Sequence, residues 1–118
     1  MRKEKKNKAR LPTVDEFLQY VPKRTDFEWY TEDNLVRIKV PKFTSNFGKS
    51  FCNFIKKDNM FIANLDKMGS LVWKNCDGRN NVKQILDMVM KEFSNQKDID
   101  QRLFLFLQQM KALHYIDY

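Results

Sequence analysis

The chain has 118 residues, of which 42% are hydrophobic and 31% are charged, and it contains only three glycines and three prolines. This size predicts one domain with a modest core, and the apolar content excludes a wholly disordered protein. The net charge is +7, and most of it comes from residues 1–10, which contain six basic residues and one Glu. Residues 11–118 are therefore nearly neutral.

Several functional classes lack their usual signals. No apolar run matches a signal-peptide core or a bilayer span, which predicts a cytoplasmic protein without a membrane partner. Cys52, Cys76 and the single His114 are too far apart for a recognised metal-binding spacing, so we expect no metal and no cofactor. Free thiols are favoured, with a disulfide between the two cysteines as the minority alternative.

The basic segment 1–10 is predicted to be a disordered tail, and residues 11–118 a single domain. Segment 11–22 is predicted to hold a short helix, because Thr13 and Glu16 have capping-box spacing and Pro22 ends the helical pattern. Segment 26–40 is typical of a hairpin, with strands at 27–30 and 35–40 around a turn at 31–34. In the second strand one face is apolar and predicted to be buried, namely Val36, Ile38 and Val40.

Segment 41–59 is harder to assign. Its phenylalanines recur at spacings of four, four and three, which favours a partly helical connection with an apolar face: Phe43, Phe47, Phe51 and Phe54. Residues 60–65 then form a predicted third strand.

Three helices are predicted over 66–113. Asp66 and Asn81 are expected N-caps of the first two helices, and Asp98 and Asp100 favour the start of the third. Their apolar stripes are Met68, Leu71, Val72 and Trp73, then Val82, Ile85, Leu86, Val89 and Phe93, then Ile99, Leu103, Phe106, Met110 and Leu113. The fold class predicted is α+β: a small antiparallel three-stranded sheet followed by a three-helix bundle, with a winged helix-turn-helix-like arrangement.

The third helix has more apolar surface than one core face needs. Phe104 and Leu105 point to opposite flanks of its stripe, so one flank requires another partner. The favoured partner is the Phe-rich segment 43–54, and the alternative is a bound peptide.

An ordered set of residues links the third strand to the second helix. A strand residue precedes an acidic helix start, a Gly lies in the first turns, a Trp closes the helix, and an Asp-Gly turn precedes the next helix: Leu65, Asp66, Gly69, Trp73, Asp77, Gly78, Val82 and Ile85. This order resembles the PqqD-like family over about residues 60–116. The resemblance implies a peptide chaperone in cofactor or natural-product biosynthesis, which recognises the leader part of a ribosomally made precursor peptide. It also implies a modifying enzyme as partner, commonly a radical SAM enzyme.

The resemblance implies a peptide site between the third strand and the third helix. An unpaired sheet edge can accept an extended peptide, and an apolar helix face offers its side chains pockets. The strand side of the site would be Met60, Phe61, Ile62, Ala63 and Asn64, and the helix side Arg102, Leu105, Phe106 and Gln109. Segment 41–59 is a candidate cover for this site, although packing on the core is favoured.

Two other functions compete with peptide capture. The chain has no phosphate-binding Gly-rich loop and no paired catalytic groups, so we expect no enzymatic activity and no catalytic residues. A winged-helix outline with a basic tail is also compatible with nucleic-acid binding, but the helices offer few basic or amide side chains for reading bases. Nucleic acid is therefore an unfavoured partner, whereas an exposed strand edge would also allow a symmetric homodimer.

Trp73 gives the first prediction, because a Trp at a helix end usually anchors the core. Replacing Trp73 with Ala should lower the free energy of unfolding by about 3 to 5 kcal/mol, measured by chemical denaturation. A variant that folds with unchanged stability and loses only peptide binding would contradict this structural role.

Overall fold

The computed structural model describes residues 11–41 and 60–118. In chain order the elements are α1 (Val14–Gln19), β1 (Lys23–Arg24), β2 (Trp29–Glu32), β3 (Leu35–Pro41), β4 (Met60–Asn64), α2 (Lys67–Asn75), α3 (Val82–Glu92), α4 (Ile99–Ala112) and β5 (Ile116–Asp117). Strands β2, β3 and β4 form an antiparallel sheet in that order, which confirms the predicted α+β class. The winged helix-turn-helix arrangement stays a prediction.

Some sequence predictions fall outside the described residues. These are the basic tail at 1–10, most of the connection at 41–59 with its four phenylalanines, and Cys52. Cys76 is a free and buried thiol, as predicted. Its burial raises the pKa of the thiol to about 12, so it is protonated at neutral pH.

The first helix forms through the predicted capping box. The Thr13 hydroxyl accepts the Glu16 N–H at 3.1 Å, and the Glu16 carboxylate accepts the Thr13 N–H at 3.0 Å. The helix ends at the C-cap Tyr20, two residues before Pro22. Phe17 is its buried side chain and anchors it to the core.

The hairpin is tighter than predicted. Asp33 and Asn34 both have a left-handed backbone, with φ of 55° and 67°, and form a two-residue turn between β2 and β3. The four-residue turn predicted at 31–34 was therefore wrong, as was the strand start at Phe27. Two consecutive positive φ angles give a turn whose twist matches that of paired strands, and Asp and Asn tolerate this conformation better than most residues.

Strand β3 is the centre of the sheet and supplies its buried face. Val36 and Ile38 are fully buried and Val40 nearly so, as their alternation predicts. Strand β4 pairs with β3 in a register that sets Arg37 opposite Asn64 and Val40 opposite Phe61.

A side chain from α2 completes the sheet where β4 ends. The Leu65 N–H donates to the Val36 carbonyl at 3.0 Å, which continues the β3–β4 ladder by one residue. The reciprocal bond is replaced by the Ser70 hydroxyl, which accepts the buried Val36 N–H at 2.8 Å and lies 3.4 Å from the Leu65 carbonyl. Ser70 thus joins the helix to both strands and satisfies a buried donor.

The core lies between this sheet and the three C-terminal helices. Trp73 is fully buried at the end of α2, with the Trp29 ring edge-on to it at 6.1 Å. The Arg24 guanidinium lies over the Trp29 ring and donates to the carbonyls of Trp73 and Lys74 at 2.9 and 3.1 Å. A cation thereby satisfies the C-terminal carbonyls of α2.

The apolar stripe of α4 differs from the prediction. Its buried residues are Ile99, Leu103, Leu107 and Met110. Phe106 is only half-buried and Leu113, beyond the last helical residue, is 56% exposed. Phe106 and Leu107 lie on either side of the centre of the apolar stripe, so helical periodicity alone could not predict which of the two is buried. The predicted helix start is right, but Asp98 contributes its carbonyl to Arg102 and makes no side-chain cap.

Two short strands were not predicted. β1 pairs antiparallel with β5, which places Lys23 opposite Asp117 and Arg24 opposite Ile116. Two residues carry too little periodicity to predict a strand. This ribbon fastens the segment after α4 to the segment before β2.

Within the described ranges, no helix is both long and apolar enough to cross a membrane. The same residues contain no group of three or more His, Cys, Asp or Glu that could hold a metal ion.

Ser70 provides a test of the joint between sheet and helices. Replacing Ser70 with Ala leaves the Val36 N–H buried without an acceptor, so the free energy of unfolding should fall by about 1 to 3 kcal/mol. Urea denaturation measures this change, and Lys67→Ala, an exposed substitution in the same helix, is the control. A Ser70→Ala variant no less stable than the control would contradict the role assigned to the hydroxyl.

Candidate functional site

Strand β4 is an edge of the three-stranded sheet: in the described part of the chain, β3 is the strand that pairs with it. The direction of its backbone groups follows from two bonds. The Val36 carbonyl points to the β4 side of β3, where it accepts a hydrogen bond from the Leu65 N–H. The Lys39 N–H points to the β2 side, where it donates to the Glu28 carbonyl. Antiparallel strands alternate strictly, so the N–H and C=O groups that point away from the sheet belong to Met60, Ile62 and Asn64.

Apolar side chains accompany these outward backbone groups. Phe61 lies opposite the buried Val40, on the core face of the sheet, yet it is 45% exposed. Ile62 is on the outer face and is 41% exposed. Met60 and Ala63 are half-buried and Asn64 is exposed. The core is therefore incompletely covered along this edge.

The four predicted residues of α4 share one flank of that helix, because they are spaced by three, one and three residues. Leu105 is 54% exposed and Phe106 is half-buried. Arg102 and Gln109 are exposed, and the Arg102 guanidinium donates to the Gln96 side chain. This flank presents apolar surface between two polar side chains.

The first turn of α2 connects the strand side of the site to α4. Its cap is the Asp66 carboxylate, which accepts the Gly69 N–H at 2.7 Å. A Cβ atom on Gly69 would lie 3.1 Å from the Phe106 ring and 3.1 Å from the same carboxylate. Glycine thus permits the Phe106 ring to rest on the first turn of α2, the helix that follows β4.

The opposite flank of α4 is occupied. The Phe104 ring packs edge-on against Phe17 of α1, with centroids 5.2 Å apart. Segment 43–54, the partner favoured from the sequence for one of the two flanks, lies outside the described residues. Phe104 and Phe106 point about 160° apart on the helix, so α1 leaves Leu105 and Phe106 uncovered.

The remaining residues of the ordered motif hold the helices in place. Asp77 accepts the N–H groups of Arg79 and Asn80, and the first of these bonds lowers the pKa of its carboxyl. Gly78 has a φ of +80° and donates its N–H to the Pro22 carbonyl at 3.0 Å. Val82 and Ile85 are fully buried in α3. These residues shape the scaffold and do not line the strand edge.

Two basic residues of β3 are paired with acidic side chains. Arg37 lies 3.6 Å from Glu32 and Lys39 lies 3.7 Å from Glu28, both on the surface. What the site offers is a backbone edge and apolar side chains, which is the chemistry of binding an extended chain.

The model of the family described as coenzyme PQQ synthesis protein D (PqqD) matches residues 56–116, just over half of the chain. The chain belongs to the PqqD family. No match was found among curated proteins or among solved structures. The PqqD match includes β4, all three C-terminal helices and both sides of the candidate site, and it places the chain among the peptide-binding partners of biosynthetic enzymes.

Sequence reasoning named the residues on both sides of the candidate site, which stay a prediction, but missed how the strand presents its backbone. Which groups of β4 point outward depends on its register with β3, and residues 60–64 carry no signal for that register. The close contact of Gly69 with Phe106 also connects residues that are far apart in the chain.

The contact between Gly69 and Phe106 can be tested by a double-mutant cycle. Gly69→Ala gains helix propensity of up to about 1 kcal/mol, but in the native background its methyl group meets the Phe106 ring. In a Phe106→Ala background the methyl group has room, so the same substitution should be more favourable by about 1 kcal/mol. Equal effects on unfolding free energy in both backgrounds would show that the two residues are not coupled.

Proposed function

We propose that this PqqD-family protein captures the leader part of a ribosomally made precursor peptide by strand addition along β4, and presents it to a modifying enzyme. The observation that supports this most directly is the edge formed by Met60, Ile62 and Asn64, whose outward backbone groups lie beside exposed apolar side chains. An extended peptide can pair with such an edge through its own backbone.

The register of β4 defines how the peptide would lie. In an antiparallel arrangement, the peptide residue opposite Ile62 exchanges both of its backbone hydrogen bonds with Ile62. Its side chain is on the outer face of the sheet, next to the exposed Ile62 side chain. The peptide residues on either side point to the core face, towards Phe61 and Ala63, and are expected to be apolar. The captured segment should therefore carry two apolar side chains separated by one residue.

The flank of α4 forms the second wall. Leu105 and Phe106 supply apolar surface, and Arg102 and Gln109 border it with polar groups. Since Phe106 rests on Gly69 in the first turn of α2, this wall is anchored to the helix that follows the strand. Because the site is preformed, only the peptide loses conformational entropy on binding.

In this proposal the protein makes and breaks no bonds. It raises the concentration of the peptide near the enzyme, which requires only modest affinity. By family resemblance the enzyme is a radical SAM enzyme. A second copy of the chain could add to the same edge, and such a symmetric dimer would exclude the peptide from β4.

The experiment is an amide NMR titration of the labelled protein with the N-terminal part of any short peptide that is encoded beside its gene. Binding should shift residues 60–65 and the Leu105 flank of α4, and the shifts should survive moderate salt because the contacts are backbone bonds and apolar surface. A DNA duplex is the comparator. Peptide shifts absent from β4, or shifts seen only with DNA, would overturn the proposal.

Ile62→Pro tests strand addition itself. Proline removes the outward N–H of Ile62 but no hydrogen bond to β3, and prolines are tolerated on strand edges in this orientation. The affinity for the peptide should fall about tenfold or more, since a backbone bond is lost and the ring obstructs the edge.

The matched control is Ile62→Ala, which shortens the side chain but keeps the N–H. It should weaken binding less than Ile62→Pro. Both variants should keep the native amide spectrum outside β4, and equal affinities of the two variants would show that the peptide does not pair with the strand.

A further inference from the structure

Strand β2 is the other edge of the three-stranded sheet, since β3 is the strand that pairs with it in the described residues. The Lys39 N–H donates to the Glu28 carbonyl, so alternate residues from Glu28 onward face β3. The backbone groups that point away from the sheet therefore belong to Trp29 and Thr31. Across the described ranges these groups find no hydrogen-bond partner, which leaves an edge that can pair with a further strand.

The side chains along this edge are aromatic and charged. Trp29 is half-buried on the core face of the sheet. Tyr30 is 39% exposed on the outer face, and the Lys39 ammonium lies 5.8 Å from the centre of its ring. The same ammonium lies 3.7 Å from the carboxylate of the exposed Glu28. These four residues and Phe27 line a depression of about 640 Å³ in the surface.

Two symmetric ways of pairing this edge with a second copy of itself are unfavourable. If Tyr30 lay opposite the partner's Tyr30, Glu28 would lie opposite the partner's Glu32, and like charges directly opposite each other destabilise a sheet. If Thr31 lay opposite the partner's Thr31, the ladder would run into the turn that follows β2 after two more residues. Neither arrangement makes full use of the edge.

A third arrangement, with Trp29 opposite the partner's Trp29, is complementary. The two Trp29 residues exchange both of their outward backbone hydrogen bonds, and the rest of β2 extends the ladder on each side. On the outer face Glu28 lies opposite the partner's Tyr30, over which the partner's Lys39 is held. Each Glu28 then has a lysine of its own copy and a lysine of the other copy nearby, so that opposite charges face each other across the interface.

We propose that two copies of the chain associate by antiparallel pairing of their β2 strands, centred on Trp29. The partner that this edge fits is a second copy because the pattern of charges along it is complementary to itself. Two three-stranded sheets thereby join into one, with the two β4 strands at its opposite ends. Both β4 edges stay open in this dimer, whereas a dimer through β4 would close them. The inference is independent of the proposed function, since it uses only β2 and β3.

The first test is sedimentation velocity of the full native chain from about 10 μM to 1 mM. One pair of strands makes a small interface, so we expect a reversible dimer with a dissociation constant in the micromolar range. The dimer fraction should rise with concentration. A chain that stays monomeric at the highest concentration would overturn the proposal.

Charge reversal tests the contact between copies. In a Glu28→Lys homodimer all four facing charges are positive, and in a Lys39→Glu homodimer all four are negative, so each variant alone should dimerise at least about tenfold more weakly. An equimolar mixture restores opposite charges across the interface but not within either copy. With one variant labelled with ¹⁵N, native mass spectrometry should show the mixed dimer as the main dimeric species.

The absence of that mixed dimer would overturn the proposal, because repulsion within each copy cannot be relieved by mixing. Amide spectra of both variants check that the sheet is intact.

Proline substitutions locate the pairing edge. Thr31→Pro removes an outward N–H but no hydrogen bond to β3, and should weaken dimerisation about tenfold or more, whereas Thr31→Ala should weaken it less than twofold. Ile62→Pro, on the opposite edge, should leave dimerisation unchanged. A dimer that is lost in Ile62→Pro and kept in Thr31→Pro would assign the contact to β4 and overturn the proposal.

The precursor segment separates the two proposals. Its addition should leave the dimer intact and shift residues 60–65 in native protein and Thr31→Pro alike. A native dimer that shows no such shifts would count against strand addition alone, and dissociation of the dimer by the segment would count against pairing through β2.

Discussion

The Ser70 hydroxyl occupies the point where the chain leaves the sheet and enters the helices. By accepting the Val36 N–H and approaching the Leu65 carbonyl, it takes the place of one ladder bond and ties α2 to both strands. The candidate site depends on this joint, because β4 supplies the backbone edge and the next turn supplies Gly69, against which Phe106 rests. A shift of α2 relative to the sheet would also move the Phe106 contact relative to β4.

Helix α4 organises the surfaces around this joint. Its buried stripe completes the core, Phe104 packs on α1, and Leu105 remains exposed. A single helix with different neighbours on each side can therefore belong to the core and still expose one flank for binding. Such a shared role is expected in a small chain, in which nearly every helix and strand contributes to the core.

The residues that identify the family are mainly those that build the scaffold. Trp73, Val82 and Ile85 are buried, Asp66 caps a helix, and Gly78 adopts a left-handed turn. The side chains that would meet a client, such as Phe61, Ile62 and Leu105, lie outside that set and are exposed. The family match thus rests on the scaffold, and we expect the choice of client to depend on residues outside that set.

Local signals in the sequence determined the helix caps, the alternation in β3, the α+β class and the family, because each depends on residues close together in the chain. They also predicted the residues on both sides of the candidate site. Only the tertiary structure decided the two-residue turn at Asp33, the choice of Leu107 over Phe106 for the core, and the pairing of β1 with β5. It alone revealed which backbone groups of β4 face outward and that α1 covers Phe104. These features depend on register and on contacts between distant segments, which periodicity along the chain does not encode.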